Sequence, residues 1–222
     1  MDKEGVIKFQ LRHHQRGLPS EAIVGIGELS TWHKKLQIMG MIGGGDPQRY
    51  HGLGFGNLSK RVHLERADRQ ATKPSFLVTG SQTGQCIDLS EQDFAWVTDY
   101  SVMTNELQSI GLRKPSSESL THGVIYNLCA SVQYVFHVHS PAIWHGYTQL
   151  GLSMTDPNIA YGTQEMAKAI ASLIIEEKLN KFGVLAMGGH TDGVIGFGES
   201  AQMVGEALCV LDHKAKTEHL LS

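Results

Sequence analysis

In Phe136-His137-Val138-His139 two imidazoles stand one residue apart, so on an extended strand both project from one face while Phe136 and Val138 project from the other. Alone, such a pair is better read as a polar patch on a solvated strand than as a metal site, because short motifs are weak. A third candidate, His190, follows the apolar run Val184 to Met187 within Gly188-Gly189-His190-Thr191-Asp192-Gly193, where glycines admit close backbone approach to a ligand. Three histidines suit zinc and leave one coordination position open for substrate or water, as in catalytic sites. Glu118 is the carboxylate to set beside such a metal, although an acidic residue in a helix's first turn also has a purely structural use against the helix dipole. Ser116 and Ser117, just before it, serve either as caps or as phosphate ligands at a helix start. The loop Gly56-Asn57-Leu58-Ser59 and the turn Thr83-Gly84 offer similar donors, and each is also explicable as a tight turn.

These residues need elements to hold them. Apolar positions Ile23, Ile26, Leu29, Trp32, Leu36 and Met39 recur at helical spacing and predict a helix from Ser20, as its cap, to Met39. Gly43 to Pro47 break the pattern, and the following GLGFGNLSKRV reads as a glycine-rich loop running into a strand, with another strand at Ser75 to Thr79. Ser90 is expected to cap a helix reaching about Thr98. Ser116 to Glu118 open a helix with Leu120, Val124, Ile125 and Leu128 on one side, and Tyr134 to His139 has strand character. Thr163 caps a long helix burying Met166, Ile170, Leu173 and Ile174; strands at Gly183 to Met187 and Gly193 to Phe197 precede a last helix from Ser200 to Leu211. Alternating helices and strands, with no repeat or long linker, predict one α/β domain over residues 1 to 222: a three-layer sandwich with a mixed, largely antiparallel sheet flanked by helices.

The chain has 222 residues, 41% of them hydrophobic and 18% charged, enough apolar surface for a substantial core. Nineteen basic against 22 acidic side chains give a formal charge of -3, which argues against a general electrostatic grip on nucleic acid or anionic membrane. Cys86, Cys129 and Cys209 are scattered, odd in number and without a CxxC pair, so neither a disulfide framework nor a thiolate zinc site is indicated. No apolar signal core opens the sequence, and a soluble cytoplasmic protein is expected.

Taken in order, Gly56-Asn57-Leu58-Ser59-Lys60-Arg61, the turn Val78 to Gly84, Lys114-Pro115-Ser116-Ser117-Glu118 with His122 and Tyr126, His137-Val138-His139-Ser140 and the glycine-flanked His190 resemble the class II aldolase/adducin family. The resemblance spans about Ser20 to Leu211. It implies that His137, His139 and His190 bind a divalent metal such as Zn2+, that Glu118 is the catalytic acid/base, and that Asn57, Thr83, Gly84, Ser116 and Ser117 surround a substrate phosphate. It further implies metal-dependent aldol or retro-aldol chemistry on a small sugar phosphate through a metal-stabilised enediolate, in homotetramers with active sites between subunits. The same chemistry serves 4-epimerisation, and the family also includes non-catalytic adducin-like interaction modules. A zinc hydrolase is a further use of an open three-histidine site.

The chain also departs from the family pattern. Its turn reads Thr79-Gly80-Ser81-Gln82-Thr83-Gly84, two residues longer than the compact family form, and Thr191 and Asp192 separate His190 from Gly193. The stretch from His139 to Gly162 is shorter than in the sugar-phosphate aldolases, where it carries a further catalytic tyrosine; Tyr147 and Tyr161 are the tyrosines available there. A longer closing tail is not expected.

Overall fold

The computed structural model describes residues 5–63 and 73–219, so the start of the segment inspected for a signal core lies partly outside the described residues. The elements run β1 (Gln10–Gln15), α1 (Ile26–Ile38), β2 (Asn57–Val62), β3 (Ser75–Thr79), β4 (Phe94–Ser101), β5 (Glu106–Gly111), α2 (Ser119–Leu128), β6 (Tyr134–His139), α3 (Pro141–His145), α4 (Gln164–Glu176), β7 (Gly183–Ala186), β8 (Gly193–Gly198) and α5 (Ala201–His219). The strands form one sheet in the order β1-β5-β4-β3-β2-β6-β8-β7. Among these described strands only the β1–β5 pairing is parallel, so the sheet is mixed and largely antiparallel, as expected.

Helices cover both faces. One face buries Phe76, Val78, Val97, Val135 and Ile195 with Ile125 of α2 and Met166 and Ile170 of α4. The other buries Leu58, Leu77, Phe136, Val138 and Val194 with Leu29 and Leu36 of α1, Ile143 of α3 and Leu208 of α5. Alternation along β6 thus sends Phe136 and Val138 to the second face and leaves His137 and His139 on the first. Local caps agree with the sequence at α4, where the Thr163 hydroxyl accepts from the Met166 N–H at 3.2 Å.

Several boundaries differ from those expected. In place of the helix expected from Ser90 to about Thr98 there is a single 3-10 turn, Glu91–Asp93, followed by β4. Phe94 packs toward one layer and Ala95 and Val97 toward the other; a strand covered on both faces shows no alternation of polarity by which to recognise it. Helix α1 begins after Gly25, whose φ of 99° suits glycine, so Ser20 lies in the preceding turns and not at the cap. Helix α5 continues past Leu211, while β1, β5 and α3 have no counterpart among the sequence expectations. In α2 Leu128 is 41% exposed, and the buried side includes His122 and Tyr126 instead. Among the described residues no helix is long and apolar enough to cross a membrane.

Arg61 fastens the segment that carries α2. Its guanidinium donates to the Val132, Tyr126 and Cys129 carbonyls at 2.8, 2.7 and 2.9 Å, anchoring the end of α2 and its exit turn to β2. Arg61→Met strands these carbonyls and should lower unfolding free energy by about 2–4 kcal/mol, measured by urea denaturation. A second expectation concerns pH. Burial pulls the His33 imidazole down to about 4, whereas an unfolded histidine titrates near 6.5. Between those values the unfolded chain binds the extra proton, so this contribution is complete above 6.5 and lost as pH falls toward 4. His33→Leu should remove about one proton from the pH dependence of stability in that window, measured by denaturation at a series of pH values.

Candidate metal and acid/base site

Strand β6 supplies two of the three imidazoles, and the turn between β7 and β8 supplies the third. The ring centroids lie 4.9 Å apart for His137–His139 and for His137–His190, and 4.6 Å for His139–His190. All three residues are buried, and one ligand nitrogen from each lies within 4.8 Å of the others. The His137 Nδ1 faces the Val194 carbonyl at 3.1 Å; since a carbonyl only accepts, Nδ1 carries a proton, and Nε2 is the nitrogen turned toward the cluster. That Nε2 is 3.1 Å from His139 Nε2 and 3.0 Å from Glu118 Oε2. Electron-rich atoms packed so closely require positive charge among them, a proton or a metal cation, and the nitrogen donor set suits a divalent ion of the zinc type. Burial, then the neighbouring His190 and His137, hold His139 well below the ordinary imidazole value, in the neutral form a metal needs.

Glu118 occupies the cap position of α2 at 2% exposure, with Oε1 3.0 Å from His190 Nδ1. Burial pushes its carboxyl upward, but the charge and direct contacts of His137 and His190 prevail and hold it well below the usual carboxylate range. The balance between burial and neighbouring charge, which the sequence leaves open, falls on the ionised side. Asn57 donates its amide to Glu118 Oε2 at 2.8 Å, fixing the carboxylate plane. Beneath it, Ser59 joins His122 Nδ1 at 2.7 Å and the Tyr126 hydroxyl at 2.8 Å, and burial keeps His122 neutral by lowering it to about 3.

The residues expected around a phosphate divide. Asn57, Gly84, Ser116 and Ser117 border one small recess, together with Gly54 and Gln82. Thr83 is not on that border; its hydroxyl donates to the Gly80 carbonyl at 2.7 Å and is spent within its own turn. Asn57 has a second commitment, to Glu118, which spacing alone does not reveal. Gln82 carries no signal in the sequence: its Oε1 accepts from the Gly54 N–H at 2.7 Å, a contact made by the longer turn. The glycines before His190 also serve differently from expectation. A Cβ at Gly188 or Gly189 would strike the Thr155 or Ile159 carbonyl, so they admit neighbouring backbone and not a ligand.

Of the two tyrosines between His139 and Gly162, Tyr161 stacks on His190 with centroids 4.4 Å apart, while Tyr147 is half-buried after α3. A third, Tyr50, is hidden from sequence reading because the glycine-rich stretch around it has no periodicity; its ring meets His139 edge-on at 4.6 Å. His145 is exposed at the end of α3, outside the triad.

No curated protein matches this chain. Among solved structures, a sugar-phosphate aldolase from Thermotoga maritima superposes with a TM-score of 0.64 at 14% identity, over 86% of this chain and 92% of that one. YgbL from Escherichia coli, named as a candidate aldolase/epimerase/decarboxylase, gives 0.59 at 20% identity over 89% of each chain. L-fuculose-1-phosphate aldolase from Thermus thermophilus gives 0.59 at 18% identity over 88% of this chain and 94% of that one. At such identities these likenesses establish the fold. Residues 47–219, most of the chain, match the model for the Class II Aldolase and Adducin N-terminal domain, and the protein therefore belongs to the class II aldolase/adducin family.

Proposed function

We propose that this protein is a metal-dependent carbon–carbon lyase that interconverts a small sugar phosphate and its aldehyde and hydroxy-ketone phosphate fragments. The observation that carries the proposal is the buried Glu118 carboxylate, 3.0 Å from both His137 Nε2 and His190 Nδ1 and beside the recess bordered by Ser116 and Ser117. His137, His139 and His190 would hold the metal, with Zn2+ the best match to three imidazoles. Bound there, a divalent cation stabilises negative charge developing on the substrate's carbonyl oxygen.

The protein's own groups account for the proton. In the direction of addition, the Glu118 carboxylate removes a proton from the donor carbon of the ketone, that carbon attacks the aldehyde carbon, and Glu118 delivers the proton to the aldehyde oxygen as it becomes a hydroxyl. In cleavage the Glu118 carboxylate takes the proton of the carbinol hydroxyl, the bond between the carbinol carbon and the donor carbon breaks to free the aldehyde and leave its electron pair on the donor carbon, and Glu118 then delivers that proton to the donor carbon. Asn57 holds the carboxylate in place, and burial excludes water from the proton being moved. Recess N–H and hydroxyl groups would take the phosphate at the start of α2. Homotetramers with sites between subunits, working in the cytoplasm, belong to the same proposal.

Product analysis tests the reaction. Incubation with candidate ketose phosphates should release a free aldehyde; an inverted isomer without release would instead establish 4-epimerisation, and neither product with any divalent metal would defeat the proposal. Purified protein should carry about one divalent ion per chain, lost in His137→Ala; full occupancy in that variant would refute the ligand set. Glu118→Gln should retain the metal while turnover falls about 10²–10⁴-fold.

A further inference from the structure

The loop before β2 holds Tyr50 and His51 at φ of 50° and 57°, followed by Gly52 at 79°. Consecutive non-glycine residues in the left-handed region persist only where surrounding contacts enforce them, and such clusters gather at functional sites. Asp192, in the two-residue spacer that departs from the family pattern, has a φ of 64° as well. These two strained points meet: the Tyr50 hydroxyl donates to Asp192 Oδ2 at 2.6 Å.

Each partner is also tied to a proposed ligand. The Tyr50 ring packs edge-on against His139, with Phe55 4.8 Å away on its own loop, and Arg49 donates to the His139 carbonyl at 3.3 Å. Asp192 lies two residues after His190, and its backbone carbonyl accepts from the Ser140 N–H at 2.9 Å, immediately after His139. Asp192, through its carboxylate and its backbone carbonyl, thereby joins the end of β6, the turn carrying His190 and the loop covering His139. Neither Tyr50 nor Asp192 is among the three histidines or Glu118, and their bond spans two segments 142 residues apart in sequence.

We propose that Tyr50 and Asp192 form a latch that positions His139 and His190 for the metal and slows its release. The latch rests on the reading that these histidines bind a divalent ion. Tyr50→Phe deletes the hydrogen bond but keeps the ring on His139. Asp192→Gly removes the acceptor while accepting the positive φ, and Asp192→Asn keeps both the acceptor and a residue tolerant of that backbone.

Zinc affinity and dissociation rate are measured on the full chain by competition with a chromophoric chelator, alongside thermal unfolding of the metal-free proteins. Tyr50→Phe and Asp192→Gly should each weaken zinc binding about tenfold, mainly through faster release, in the range typical of groups that orient metal ligands. The double variant should be no weaker than the worse single one, and Asp192→Asn should stay within about twofold of the parent. Zinc affinity unchanged in both single variants, or losses that multiply in the double, would overturn the latch. A change in metal-free unfolding temperature with zinc affinity unchanged would likewise reduce the pair to a purely structural contact. If the parent protein takes up no zinc or other divalent ion, the metal assignment itself fails and the latch with it; uptake by the parent with unaffected variants removes the latch alone.

Discussion

An ionised carboxylate taken out of water costs on the order of several kcal/mol unless positive charge accompanies it, and Glu118 is almost wholly buried. The surrounding design follows from this constraint. Histidine contacts within 3.0 Å on each carboxylate oxygen and an amide donor from Asn57 supply the compensation. Without positive charge in the cluster, two imidazole lone pairs and the carboxylate would repel one another in a low-dielectric interior. A dication resolves that repulsion more fully than one shared proton, because each ligand can then remain in its neutral or anionic form.

Convergence of these groups depends on sheet register. Asn57 pairs directly with His137 across β2 and β6, and His137 pairs with Ile195 across β6 and β8, so Asn57 and His137 necessarily share a face. Slipping β2 by one residue would turn Leu58 toward Glu118 and bury Asn57 among the apolar side chains of the other layer. The hydrophobic residues interleaved with the polar ones therefore do chemical service: Leu58, Phe136 and Val138 fix the register by demanding burial beneath α1 and α5.

How much is legible in the sequence depends on whether a signal is local. The His-x-His pair declares its own geometry, since strand period alone places both rings together, and Tyr134–His139 is recovered with the expected bounds. Helix α4 announces itself through its cap and apolar spacing. By contrast, β4 hides because Phe94, Ala95 and Val97 are covered on both sides, and β1 because its polar edge sequence, Gln-Leu-Arg-His-His-Gln, gains strand character only by pairing with β5. His190 can be nominated from its glycines but not brought to the pair without the β6–β8 ladder. Tyr50 and Gln82 lack any local signal: both act through side-chain contacts with residues distant in sequence, and both occupy left-handed backbone that is uncommon outside glycine and asparagine.

The division between strands and loops also bears on selectivity. Strand β6, the start of α2 and the turn carrying His190 form the histidine and carboxylate cluster, whereas the recess beside it is bordered by glycines, hydroxyls and amides, with no lysine or arginine among the described residues on its border. If the recess takes the phosphate as proposed, recognition there comes from N–H and O–H donors, each of which loses its water when substrate enters. A ligand with too few acceptors leaves such donors buried and unpaired, a larger penalty than the gain from any single matched bond. Gln82 bears on the same proposal, because it occupies the Gly54 N–H and so takes one donor out of the set on the recess border. On that proposal the longer turn changes the donors offered to a ligand, while Asn57 and His137 keep their pairing across β2 and β6.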